Sequence, residues 1–121
     1  MADNKWQAID TFWNSFGIPA YDESDVPDDA EMPYITYHAE VGGFEEPVLL
    51  SGSIWYRDSS WKDVSLKADE ISDLLDEYLM FKIKGGYIFM NKGNPFAQRF
   101  PDEDDSVRRI IINIDAEFFV K

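Results

Sequence analysis

Two periods alternate along the chain. Apolar residues at steps of three and four mark helices, and apolar residues at every second position mark strands. Trp61, Val64, Ala68, Ile71, Leu75 and Tyr78 form one apolar stripe, with Lys62, Asp63, Lys67, Asp69, Glu70, Asp73 and Asp76 on the polar face. That spacing predicts an amphipathic helix over 61–78, about 27 Å long at about 1.5 Å per residue. Asp58, Ser59 or Ser60 supplies a side-chain oxygen for its first free amides. An earlier stripe, Trp6, Ile9, Phe12, Trp13 and Phe16, predicts a first helix capped by Asp3 or Asn4. Gly17 stands where a left-handed residue closes a helix, and Pro19 prevents continuation. Five bulky residues on so short a helix need a partner surface. The domain core is the expected one, and docking on a neighbouring subunit is the alternative.

From Tyr34 the period is two. Tyr34, Thr36, His38 and Glu40 alternate with Ile35, Tyr37, Ala39 and Val41, and Gly42-Gly43 signals a hairpin. The return strand spans 48–57, with Leu50, Gly52, Ile54 and Tyr56 on one face and Leu49, Ser51, Ser53, Trp55 and Arg57 on the other. After the long helix, 79–84 and 87–91 flank Gly85-Gly86 as a second hairpin, ended by Lys92-Gly93-Asn94-Pro95. Phe96 and Phe100, between two prolines, are expected to plug the end of the core. A last strand over 108–120 has Ile110, Ile112, Ile114, Ala116 and Phe118 on one face, long enough to be central. The segment 20–33 holds Asp22, Glu23, Asp25, Asp28, Asp29 and Glu31 with Pro27 and Pro33, and reads as an exposed loop. The expected fold is a single domain over 1–121 of class α+β. It has a mostly antiparallel sheet of about five strands with two helices packed on one face.

Composition narrows the function classes. The 121 residues are 45% hydrophobic and 16% aromatic, too apolar for a disordered chain and enough for one core. No cysteine is present, which excludes disulfides and thiolate metal sites. No apolar run approaches a membrane span, and the first residues carry no signal-peptide pattern, so a cytoplasmic origin without membrane association is expected. Asp and Glu number 24 against 11 Lys and Arg, a net charge of −13. Such a surface repels nucleic-acid phosphates, so sequence-specific nucleic-acid binding is not expected.

Chemistry-bearing patterns are sparse. The glycines lack phosphate-loop spacing. The acids of 22–31 lack the glycine and closing glutamate of a calcium loop. His38 is the only histidine and is expected at an exposed or rim position. No catalytic, cofactor-binding or metal-binding residue is assigned, no cofactor is implied, and the chain is not expected to be an enzyme. Arg108-Arg109 is read as neutralising the acidic run 102–105, or as half of an intersubunit ion pair.

One ordered set of short motifs carries a resemblance. It comprises Ala20-Tyr21 with Val26-Pro27, Pro33-Tyr34-Ile35-Thr36-Tyr37, and Trp55-Tyr56 before Ser60-Trp61. It continues with Gly85-Gly86, Gly93-Asn94-Pro95-Phe96-Ala97-Gln98, and Arg108-Arg109 opening a strand that ends Glu117-Phe118-Phe119. Over roughly residues 15–120 this resembles the minor tail or tail-completion proteins, tail terminators among them, of siphophages and prophages of Gram-positive hosts. The resemblance implies a virion structural protein of the head–tail joining region, assembled in the host bacterial cytoplasm. Its implied partners are further copies of itself in a ring, commonly a hexamer, the major tail tube protein and the head connector protein. A ring requires heterologous contacts that close by rotation, and aromatics and arginine are favoured in such contacts. Trp55, Arg57, Phe96, Arg99 and Arg109 are the candidate interface residues. The acidic loops are candidates for lining a channel that DNA traverses without being held. The alternatives are a head–tail connector of stopper or adaptor type, and an acidic inhibitor that mimics DNA.

Overall fold

The computed structural model of the chain describes residues 4–120. Helix α1 (Lys5–Trp13) begins at Asn4, whose side chain accepts from the Gln7 amide at 2.8 Å while the Gln7 side chain accepts from the Asn4 amide at 3.1 Å. The reciprocal pair satisfies two donors that the first turn would otherwise leave free. Asp3, the other expected cap, lies outside the described residues. A single 3-10 turn (Asn14–Phe16) follows, and Gly17 at φ 83° ends it in the expected left-handed conformation. Asn14 then clamps the exit: its Nδ2 donates to the Asp10 carbonyl and its Oδ1 accepts from the Ala20 amide.

The remaining elements are β1 (Ala20–Asp22), β2 (Tyr34–His38), β3 (Pro47–Arg57), α2 (Lys62–Leu74), β4 (Leu79–Ile83), β5 (Gly86–Pro101) and β6 (Val107–Val120). They build one six-stranded sheet in the order β1-β2-β3-β6-β5-β4, antiparallel except for the β1–β2 pair. The fold is α+β with both helices on one face of the sheet. β6 is interior as its length implied, paired with β3 from Val107 to Glu117 and with β5 on its other side. The core lies between that helix-covered face and the helices. Ile9 and Trp13 of α1, Val64, Ala68 and Ile71 of α2, Leu50 and Ile54 of β3, and Ile110, Ile112, Ile114 and Phe118 of β6 are all buried within it.

Four details depart from the sequence expectation. The first three residues of the acidic segment form β1, giving six strands in place of about five. A strand of three residues shows no period of its own, and its order comes from pairing with β2 and from the Asn14 clamp. β2 stops at His38, and no tight hairpin forms at Gly42-Gly43. The connection is instead pinned by Phe44, which bridges to Phe118, and by Lys5, whose Nζ donates to the Gly42 carbonyl at 3.0 Å and lies 4.0 Å above the Phe44 ring. β5 does not end at Asn94-Pro95. An irregularity between Lys92 and Ala97 takes up the proline, which has no amide to give the ladder, and pairing with β6 resumes at Ala97. Finally, α2 ends at Leu74, so Tyr78 lies beyond the helix and stacks on Phe89 of the sheet with centroids 5.1 Å apart. Among its expected caps, Ser60 Oγ accepts from the Lys62 amide at 3.0 Å, although Trp61 occupies the cap position.

Tyr37 ties β2 to α1 by donating its hydroxyl to Asp10 Oδ1 at 2.6 Å. Burial, then that bond, raises the Tyr37 pKa above the usual phenol value, and burial raises that of Tyr56. A raised folded-state pKa contributes stability that is fully present below the unfolded value, about 10. It is lost as pH rises through the folded value. An ultraviolet titration should therefore show Tyr37 and Tyr56 ionising late. Tyr37→Phe should remove one late phenol, cost about 1 kcal/mol at neutral pH, and make the alkaline loss of stability shallower. An unchanged number of late phenols would remove the assignment to Tyr37.

Candidate functional site

The helices cover one face of the sheet, and no layer of the described residues covers the other. On that face, residues paired across strands stand in rows. One row runs Tyr34 on β2, Trp55 on β3, Arg109 on β6 and Phe100 on β5, each the register partner of the next. The Arg109 guanidinium carbon lies 4.6 Å from the Trp55 ring centroid and 4.8 Å from that of Phe100, so a cation is held between two aromatic faces. The next row locks both large groups. Thr36 Oγ1 accepts from Trp55 Nε1 at 2.9 Å, and Ser53 Oγ accepts from Arg109 Nε at 3.0 Å. These bonds fix the ring and the fork while leaving their outer surfaces to solvent, and Phe100 is 49% exposed.

The middle of the face is polar. Ser51 Oγ donates to Asn113 Oδ1 at 2.9 Å, and Asn113 Nδ2 donates to the Pro95 carbonyl at 3.1 Å across the β5 irregularity. Beside Arg109 the small β3 side chains Ser51 and Ser53 leave an open recess of about 220 Å³, with Glu23 on its rim. His38 lies exposed at this edge, its Nδ1 3.1 Å from Glu23 and its Nε2 3.2 Å from Glu40. The far end is apolar again but acidic. Phe89 stacks with Tyr78 and meets Phe119 edge-on at 6.4 Å, Met80 is half exposed beside it, and Asp115 and Glu117 project from β6.

The five expected interface residues separate into two groups. Trp55 and Arg109 are neighbours in one row. Arg57 is on the same face, one step further along β3, where its guanidinium donates to Ser106 Oγ at 2.7 Å and reaches Asp104 at 3.4 Å. Arg99 and Phe96 are on the helix side. Arg99 lies 5.0 Å from the Trp61 ring centroid, and Phe96 packs against the core. The expected plug is thus Phe96 alone, with Phe100 on the opposite face. The arginine pair also divides. Arg108 donates to the carbonyls of Asp105 and Ser59 and lies over Trp61, while Arg109 forms no ion pair among the described residues.

Ser106 and Arg57 organise the acidic turn. The Ser106 hydroxyl and amide, and after them Arg57, hold the Asp104 carboxyl below the usual carboxylate range. Ser24 does the same for Asp22. These bonds stabilise ionised carboxylates on the surface and gather no acid–base pair. No helix among the described residues is long and apolar enough to cross a membrane. No protein-family model matches the chain, and no curated protein matches it in sequence.

Proposed function

We propose that this chain is a phage virion structural protein of the head–tail joining region, a tail terminator that caps the tail tube as a ring. The observation that carries the reading is the row Trp55–Arg109–Phe100, a rigid aromatic–arginine cluster on a sheet face with no layer over it. Large aromatics and arginine held in fixed rotamers are the residues that dominate protein–protein contacts, because little entropy remains to be lost on docking. The ordered motifs that resemble those of tail-completion proteins supply the rest, and a small sheet with helices on one side suits a ring subunit. In this reading the partners are further copies of the chain, the tail tube protein and the head connector. Its work is assembly by shape, with the acidic loops facing DNA that must pass without binding.

Deleting the gene from a phage that carries it, and imaging the particles, tests the proposal. Tails of uncontrolled length without heads are the expected product. Tails of normal length that fail to join heads would favour a connector role. Normal infectious phage would end the proposal. A purified chain that sequesters a basic nucleic-acid enzyme as a monomer would favour the DNA-mimic alternative.

A further inference from the structure

We propose that the uncovered face pairs with the same face of a second copy, strands reversed, as a two-fold dimer in solution. The inference stands on charge and geometry; it uses the face that the ring reading assigns to subunit contacts, so the two-fold pair is a state of the free chain that ring assembly would displace.

The first support is where the acids are absent. The chain carries −13, yet the side chains projecting from the strands on this face include Arg57, Arg109 and Lys82 against Asp115 and Glu117. The acidic excess therefore sits in the loops and on the helix side. A face depleted of acid and rich in aromatics has the composition of the buried centre of an interface. Uniform repulsion between two acidic chains is weakest there.

The second support is polarity along the strands. Arg109 and Glu117 are on the same face of β6, about 26 Å apart at about 3.3 Å per residue, with Asn113 midway. Sheet faces can pack through a two-fold axis parallel to the strands or across them. An axis along β6 would put Arg109 against Arg109 and Glu117 against Glu117, and is disfavoured by like charge. An axis across the strands at the Ser51–Asn113 row lays each β6 over its copy in reverse. Arg109 then meets Glu117 of the second copy, twice by symmetry. Phe100 and Phe89, both on β5, come together in the same step. The polar row, Ser51 and Asn113, meets itself at the axis, where hydroxyl and amide can each donate and accept.

Two further observations agree. Arg109 is ready for a carboxylate: its Nε is used by Ser53, its ring-like plane is held by two aromatics, and its terminal N–H groups have no partner among the described residues. A fork fixed in this way loses little freedom when a carboxylate arrives. The size is also sufficient. In this arrangement the three long strands β3, β5 and β6 overlie their copies; at about 4.8 Å between strands and about 3.3 Å per residue they present roughly 600 Å² a side, the lower end of the roughly 600–1,000 Å² per partner of a stable complex.

Sedimentation of the full chain from micromolar to hundred-micromolar concentration tests the pairing, with circular dichroism to show that each variant is folded. The wild-type chain should sediment as a dimer. Arg109→Glu and Glu117→Arg should each weaken association about 30-fold or more, since each places like charges in contact. An equimolar mixture of the two should regain dimer mass, because the mixed pair has opposite charges at both contacts, one native and one with inverted sign. The chain has no cysteine, so Asn113→Cys reports the axis directly. It should form a disulfide-linked dimer on mild oxidation, and Arg109→Cys, far from the axis, should not. A monomeric wild-type chain, a mixture that stays monomeric, or efficient linkage through Arg109→Cys would each overturn the proposal. None of these outcomes bears on the tail phenotype, which is read from particles.

Discussion

Trp13→Ala is expected to lower the unfolding free energy by about 3–5 kcal/mol. In a domain of this size that is a fall in Tm of roughly 10–20 °C. Trp13 is fully buried where α1 crosses the sheet. Its ring stacks on Tyr37 of β2 at 5.9 Å, meets Phe12 edge-on at 5.1 Å, and lies over Gly52 of β3. One side chain therefore joins three elements that are distant in sequence. Its Nε1 has no hydrogen-bond partner among the described residues, so its contribution is apolar burial and packing. Trp13→Phe should accordingly cost far less than Trp13→Ala, because it keeps ring packing and removes an unpaired donor. The converse change, Gly52→Ala, should also destabilise, since a Cβ there would lie 2.8–3.2 Å from three indole carbons. Urea denaturation of the three variants checks the order. Equal midpoints for the alanine and phenylalanine variants would mean that the ring itself contributes little.

The Gly52–Trp13 contact shows what was legible and what was not. The alternation of Leu50, Gly52, Ile54 and Tyr56 assigns the β3 face correctly, and the three-four spacing of Trp6, Ile9, Phe12, Trp13 and Phe16 assigns the buried side of α1 except at Trp6, which is 54% exposed. Neither period says that the glycine is the seat of the indole, because that depends on where α1 crosses the sheet. Elements with a long period were readable: β3 and β6 fall within a residue of their expected ends, and the first helix, α1 to Trp13 with its 3-10 turn, reaches the expected Phe16. The failures lie where tertiary contacts decide. β1 is too short to show a period. α2 ends at Leu74, and beyond it Tyr78, in step with the helical stripe, stacks on Phe89.

The candidate site was readable by residue type on β3 and β6 and unreadable on β5. Trp55 and Arg109 share a face because both strands run without a break, so parity alone places them. On β5 the irregularity between Lys92 and Ala97 resets parity. It sends Arg99 to the helix side and Phe100 to the uncovered side, the reverse of their expected uses. The signal for such a break was the Gly93-Asn94-Pro95 run, which the sequence reading treats as the end of a strand. A proline inside an otherwise paired strand is equally a mark of a register shift. Ser53 and Thr36, which hold the arginine and the tryptophan, carried no signal, because a hydroxyl on a strand face is unremarkable until its cross-strand neighbour is known.

Gly86→Val is expected to cost about 2–3 kcal/mol, more than Gly85→Asn beside it. The two glycines look like one turn motif but answer different demands. Gly85 has φ 86° in the β4–β5 turn, with only the edge of Phe44 near its missing side chain. A small residue that tolerates the left-handed region, such as Asn, should fit there for roughly 1 kcal/mol. Gly86 needs space. It begins β5 opposite the end of β6, and a Cβ built on it would fall inside the Phe119 carbonyl oxygen. That oxygen belongs to the backbone and cannot turn aside as a side chain would. The strand ends must therefore separate, exposing Phe119 and loosening the support of Phe89. Amide exchange should locate the damage at Tyr87 and Phe119 and leave the β3–β6 ladder protected in Gly86→Val, with no such opening in Gly85→Asn. If the two variants lose the same stability at the same amides, turn conformation and not close strand approach is what the pair of glycines supplies.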